Sequence, residues 1–160
     1  MSLIFSRECE YAIQSLLYVA LKKPGERTTS RELAEKLGIP YHFLGKIMQR
    51  LTRKGLLVSH RGADGGFTFS MSPEEITLFH IVEAIDGVAF TNMCVLGYSE
   101  CTPDTPCSVH ESWTDLREGI YRMLVRKNIA AMARDMKKPE YLIARNGLSF
   151  FDAHIADKTI

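Results

Sequence analysis

The chain of 160 residues contains no apolar run near the ~18 to 20 residues a membrane-spanning helix needs. Its best candidate, Leu16 to Leu21, is far too short. It also lacks a basic start followed by an apolar stretch and a small-residue cleavage site, so secretion is not expected and a cytoplasmic protein is. Cysteine is scarce, at four residues, and no two cysteines stand two to four residues apart. That argues against a disulfide framework and against the tight chelating pairs that structural zinc sites prefer. Net charge is nearly absent, at +1. What is present is a hydrophobic fraction of 46%, enough for a real core and too much for general disorder. The length suits one domain, or a small domain with an appended oligomerisation arm.

The small net charge conceals two unlike halves. Residues 1–72 carry 11 Lys and Arg against 6 Asp and Glu, whereas residues 73–160 carry 9 against 13. A basic half points to an anionic partner for that half, and nucleic acid is the commonest one.

Within the basic half, Ser6 is placed to cap a helix reaching about Lys23, with Ala12, Ile13, Leu16, Val19 and Ala20 as its apolar stripe. Pro24-Gly25 ends it. Thr29 then caps a helix over Ser30 to Leu37, with Glu32 three residues later positioned to complete a capping box, and Gly38 supplies the turn that stops it. Pro40 sets a third helix, Tyr41 to Lys54, which buries Leu44, Ile47, Met48 and Leu51. Tyr41, His42, Lys46, Gln49, Arg50 and Arg53 are left on its outer side. Two short helices joined by a Gly-containing turn form a helix-turn-helix, whose second helix presents polar side chains to base edges. Thr29 and Ser30, at the start of the first of the pair, join the candidate DNA contacts.

A strand over Leu56 to His60 follows, and Phe67, Phe69 and Met71 alternate with Thr68 and Ser70 in a second strand. Between them Arg61-Gly62-Ala63-Asp64-Gly65-Gly66 is a turn. A helix-turn-helix followed by a hairpin with a basic root is a winged helix. Arg61 and Gly62 are placed to enter a narrow minor groove, where negative potential is highest.

The acidic half begins with a short helix, Thr77 to Ile85. From Ala89 to Ser108 no periodicity remains, and Cys94, Cys101 and Cys107 lie there as C-x6-C-x5-C, with His110 just beyond. A long aperiodic segment inside a small domain is usually functional or disordered. Three thiols and an imidazole suit a metal ion or an iron–sulfur cluster, and the wide gaps suit the larger core. Zinc and three free thiols are the other readings. Ser108 then caps a long helix with Glu111 as its capping-box partner, running from Glu111 to Lys127 and on through Ile129 and Met132 after a small break. Trp113, Leu116, Ile120, Met123 and Leu124 form a stripe too long for one small domain to cover, so a two-fold dimer is expected, which also matches a palindromic operator.

Taken in order, these pieces over roughly residues 1–135 resemble the IscR- and NsrR-type bacterial winged-helix regulators. The wing sequence from Arg61 to Phe67 and the three-cysteine loop before a long helix carry the likeness. The resemblance implies a homodimeric transcription factor whose operator affinity follows the state of an iron–sulfur cluster, [2Fe–2S] or [4Fe–4S]. It places Cys94, Cys101 and Cys107 on the three cluster cysteines. The fourth ligand is His110 by the IscR-like pattern, or Glu10 of a partner subunit by the NsrR-like one. Two positions depart from the IscR-like pattern: six residues rather than five separate the first two cysteines, and Gly45 stands where those members carry a carboxylate.

The expected fold is therefore mainly α with a small β-hairpin wing. Residues 1–86 form the winged helix-turn-helix domain, 87–110 the cysteine loop, 111–136 the dimerisation helix region and 137–160 a C-terminal tail. The expected function is a cytoplasmic regulator of double-stranded DNA that senses redox state, nitric oxide or iron and cluster status. The alternative keeps this scaffold with a zinc-bound or metal-free thiol-redox loop. An enzyme is not expected, because no His–Asp partner for a nucleophilic cysteine is readable.

Overall fold

The computed structural model describes residues 4–135, so the tail 137–160 lies outside the described residues. Six helices and one hairpin follow in order: α1 Arg7–Leu21, α2 Ser30–Leu37, α3 Tyr41–Arg53, β1 Leu57–His60, β2 Gly66–Phe69, α4 Leu78–Ile85, α5 His110–Arg126 and α6 Ile129–Asp135. This is a winged helix-turn-helix followed by a long helix, mainly α with a small hairpin.

Local chemistry explains most of the boundaries. The Ser6 hydroxyl accepts the Cys9 amide at the start of α1, and the Thr29 hydroxyl accepts the Glu32 amide at the start of α2. Each satisfies one of the donors a helix N-terminus leaves open. Gly38, at φ 64, makes the left-handed turn between α2 and α3. The expected reach of the Glu32 carboxylate back to the cap does not occur. Instead it accepts from the Tyr18 hydroxyl at 2.9 Å and the Lys22 ammonium at 2.8 Å, because a phenol on α1 and a cation at its C-cap outcompete a solvated cap.

β1 and β2 pair antiparallel, with Leu57 opposite Phe69 and His60 opposite Gly66. Met71 lies past the end of β2 and is exposed, so the buried face of the wing is shorter than its alternation suggests. Thr28, just before α2, adds a third edge through backbone bonds to Phe67 in both directions, at 2.9 and 3.1 Å.

The core lies where α1, α2, α3 and α4 meet. Leu16, Leu33, Leu37, Leu44, Met48, Leu51 and Ile81 are fully buried there. Burying a side chain of this size contributes about 1.5–3 kcal/mol.

Two expectations about the last helices are corrected. No Ser108–Glu111 capping box forms. Helix α5 begins at His110, after Val109, with no side-chain cap, and the turn before it is closed by the His110 amide donating to the Cys107 carbonyl. Nor does α5 run on through a small break. Lys127 is extended, Asn128 caps α6 through the Ala131 amide at 2.7 Å, and the Ile129 amide bonds the Ile76 carbonyl at 2.7 Å. The chain thereby turns back, and α6 packs on α1 with Ile129, Ala130 and Ala133 buried.

Candidate functional site

The cysteine loop is aperiodic but built. A short 3-10 turn at Ala89–Thr91 leads into it. The Trp113 indole N–H on α5 holds the Met93 carbonyl at 2.8 Å, and a turn closed by the Gly97 amide on the Cys94 carbonyl follows. Farther on, Thr105 bonds both Thr102 and the Glu100 carbonyl, folding the segment between Cys101 and Cys107. These ties bring the Sγ atoms of Cys94, Cys101 and Cys107 within 4.8 Å of one another. Cys94 and Cys107 are 3.7 Å apart, and the His110 Nδ1 lies 3.1 Å from the Cys101 Sγ. All three thiols are half-buried and none is in a disulfide.

The thiols differ in acidity. At Cys94 partial desolvation opposes ionisation, but the Tyr98 and Leu96 amides and the other two thiols outweigh it, and its pKa falls below the usual thiol value. At Cys101 the Cys107 amide favours the thiolate, yet desolvation and the neighbouring thiols prevail and its pKa rises. Cys94 therefore ionises before Cys101, as expected when acids share one small volume.

Glu10 stands elsewhere. It is 5% exposed on α1 and pairs with Arg7 of its own chain at 3.1 Å. The neighbouring Cys9 thiol is pushed up to about 12, by burial first and then by the charges of Asp86, Glu10 and Glu8.

The basic face is assembled on α3 and the wing. Tyr41, His42, Lys46, Gln49 and Arg53 are exposed on α3, as are Arg61 and Gly62 at the wing. Arg50 is half-buried, because its guanidinium reaches both oxygens of Glu8 on α1. Thr29 is exposed with its hydroxyl used as the α2 cap, and Ser30 is half-buried beside it. Sequence reasoning passed over Phe43. It was read as neither core nor contact, yet it is about half exposed in the first turn of α3 with its ring 4.3 Å from that of His42. Its place one turn before Ile47 aligns it with the edge of the buried stripe, so the pattern gives no signal of its exposure. An added Cβ at Gly45 would meet nothing within 4 Å, so no steric need keeps a carboxylate from that place.

The loop and the basic face are joined through α1. Asp86 caps the end of α4, where the loop departs, and its carboxylate accepts both the amide (2.9 Å) and the hydroxyl of Ser6 at the head of α1. Glu8, two residues on, holds Arg50.

Comparisons with known proteins agree with this architecture. An HTH-type regulator named from Aquifex aeolicus is 34% identical over 120 residues, spanning 74% of this chain and 83% of its own. IscR of Aliivibrio salmonicida is 30% identical over 114 residues, spanning 71% of this chain and 67% of its own. Among solved structures, the global cysteine regulator CymR of B. subtilis superposes with a TM-score of 0.73 at 22% identity, over 85% of this chain and all of that one. T. potens IscR does so with 0.66 at 23% identity, over 91% and 96%. The family model described as Rrf2, iron-dependent transcriptional regulator, matches residues 5–135. That match takes in the wing, the cysteine loop and both terminal helices. The chain belongs to the Rrf2 family of transcriptional regulators and is a regulator rather than an enzyme.

Proposed function

We propose that the chain is a cytoplasmic, homodimeric regulator whose affinity for a palindromic operator is set by an iron–sulfur cluster held by Cys94, Cys101, Cys107 and His110. The observation that carries this is the gathering of three thiols within 4.8 Å of one another, with an imidazole against one of them. Soft thiolates with an imidazole are the donor set that iron–sulfur clusters take. Two thiolates on one tetrahedral ion with bonds of about 2.3 Å stand roughly 3.8 Å apart. Cys94 and Cys107 have that separation, and Cys101 with His110 makes a second close pair. Two donors on each of two irons is the pattern of a [2Fe–2S] centre, whereas a [4Fe–4S] centre takes one donor per iron.

When bound, the cluster would supply a centre that gains or loses an electron, reacts with nitric oxide, or is lost when iron is short. The chain's own residues do the rest. Trp113 and the Thr102–Thr105 turn hold the donors, and the Asp86–Ser6 contact joins the root of the loop to the helix that holds Arg50. A bound group changes DNA affinity only through its different affinity for the binding and non-binding arrangements. This connection gives such a difference a route. His110 is favoured over a partner's Glu10 because the imidazole already lies against Cys101, while Glu10 is buried in an ion pair.

A second reading is favoured by the same 3.7 Å pair: one zinc ion held by the three thiolates, on an unchanged DNA-binding scaffold. Purification without oxygen followed by absorbance, iron, zinc and acid-labile sulfide assays separates the two. Colour with iron and sulfide in equal amounts supports the cluster, and a colourless protein with zinc and no sulfide overturns it. Cys101→Ala keeping both a normal cluster and normal regulation also defeats it. His110→Ala and Glu10→Ala, reconstituted separately, identify the fourth ligand.

A further inference from the structure

We propose that Arg27, outside both the helix-turn-helix and the hairpin, is a positioning residue that sets where the wing presents Arg61 to DNA. The hairpin has only four residues in each strand, and its tip projects beyond them. The tip is a tight turn, closed by the Gly65 amide on the Gly62 carbonyl at 3.0 Å. It is packed so closely that a Cβ at Gly65 would lie 2.8 Å from the His60 carbonyl oxygen. A turn this rigid moves as one body with Arg61 at its root, so whatever holds Asp64 also holds Arg61.

Arg27 holds Asp64. Its Nη1 donates to the Asp64 carbonyl across the gap from the α1–α2 connection. Its own backbone is fixed on its carbonyl side. The Lys22 ammonium, itself paired with Glu26 and Glu32, donates to the Arg27 carbonyl at 3.3 Å. The next residue, Thr28, is buried and bonded twice to Phe67. Gly66 passes so close that a Cβ there would sit 3.0 Å from the Thr28 carbonyl oxygen and 3.3 Å from the Arg27 Cβ, at a φ of 145 that side chains rarely adopt. The wing thus stands against this connection at its base, and the Arg27 guanidinium braces its tip.

This inference rests on the reading that Arg61 enters a groove, and the experiment separates the two. The probe is a palindromic duplex that the wild-type protein selects from a randomised pool. Its dissociation constant is measured over a salt series for wild type, R61A, R27A and the double variant, with amide exchange of residues 62–66 followed in each. R61A weakens binding and flattens the salt dependence by about one unit of slope. R27A weakens binding about two- to tenfold, the worth of one hydrogen bond, and speeds exchange in the wing. In the R61A background R27A has little further effect, because the two act through one contact. Unchanged binding by R61A defeats the groove reading and this inference with it. If R61A behaves as expected but R27A is silent, the positioning role is wrong. If R27A instead adds its full effect and a further unit of slope to R61A, Arg27 binds phosphate itself and the positioning role is overturned.

Discussion

Glu8 on α1 holds the Arg50 guanidinium on α3 through both of its carboxylate oxygens, each at 3.4 Å. A cation on α3, the helix proposed to face DNA, is therefore shared with an acid of the same chain. Exposed ion pairs of this kind are worth about 0.2–1 kcal/mol, so the contact competes weakly with a phosphate. Glu8→Gln is expected to tighten operator binding by roughly 1.4- to fivefold, which is that energy as a ratio, with the larger gain at low salt. Fluorescence anisotropy over a salt series checks it, and weaker binding by the variant would show that Glu8 aligns Arg50 rather than withholding it.

The Asp86–Ser6 contact predicts a loss of stability. Asp86→Ala removes the acceptor of the Ser6 amide and hydroxyl and leaves the head of α1 unanchored, a cost of about 1–2 kcal/mol. Ser6→Ala should cost a similar amount by thermal or denaturant unfolding, and the double variant more than either. Only the hydroxyl–carboxylate bond is common to both: Asp86→Ala also removes the acceptor of the Ser6 amide, and Ser6→Ala also removes the cap on Cys9.

Thiol reactivity should follow the acidities. In the metal-free protein Cys94 is alkylated before Cys101, since its thiolate is favoured and that of Cys101 is not. Cys9 stays unmodified until the protein unfolds. Mass spectrometry of timed alkylation reads this order. The raised pKa of Cys9 also carries a pH dependence. An unfolded chain loses this proton near the ordinary value of 9.0, while the folded chain keeps it to about 12. The unfolded state then binds fewer protons, so this contribution to stability is whole below pH 9 and falls as pH rises towards 12. Cys9→Ala should flatten that alkaline loss.

The stripe on α5 divides into two kinds of residue. Leu124 is fully buried within the protomer, whereas Leu116 is 57% exposed and Ile120 lies between, packed partly on the core. Leu124→Ala should destabilise the protomer by about 2–5 kcal/mol. Leu116→Glu should leave the fold intact and give monomers that lose the palindromic duplex, seen by sedimentation. A wild-type chain that sediments as a monomer at micromolar concentration would remove the dimer.

These contrasts show where sequence was informative. Ser6, Thr29 and Gly38 do their work within four residues, so α1 and α2 were readable to within a residue or two. The spacing of Cys94, Cys101, Cys107 and His110 was equally plain, but their pairing was not. It depends on turns made by Gly97, Thr102 and Thr105 and on Trp113 reaching back to Met93. Glu32 had a good local partner and took two better ones on α1 and at its C-cap. Leu116 and Leu124 look alike in any helical pattern. Only the return of α6 to α1, and the docking of α5 on α4, decide which of them meets solvent. The Thr28–Phe67 pairing was invisible for the same reason, since one isolated bridge leaves no alternation to read.

That return of α6 has a consequence for how the molecule can be divided. Ile129, Ala130 and Ala133 close over α1, and backbone bonds from Ile129 and Ala130 clip onto Ile76 and Pro73. The long α5 is therefore a handle fastened at both ends, not an arm trailing from a finished domain. A fragment cut at residue 86 would expose the face of α1 that α6 covers and would bind DNA poorly for want of a settled fold. The segment that follows α5 is thus seated on α1, the same helix whose first turn carries the Glu8 that holds Arg50.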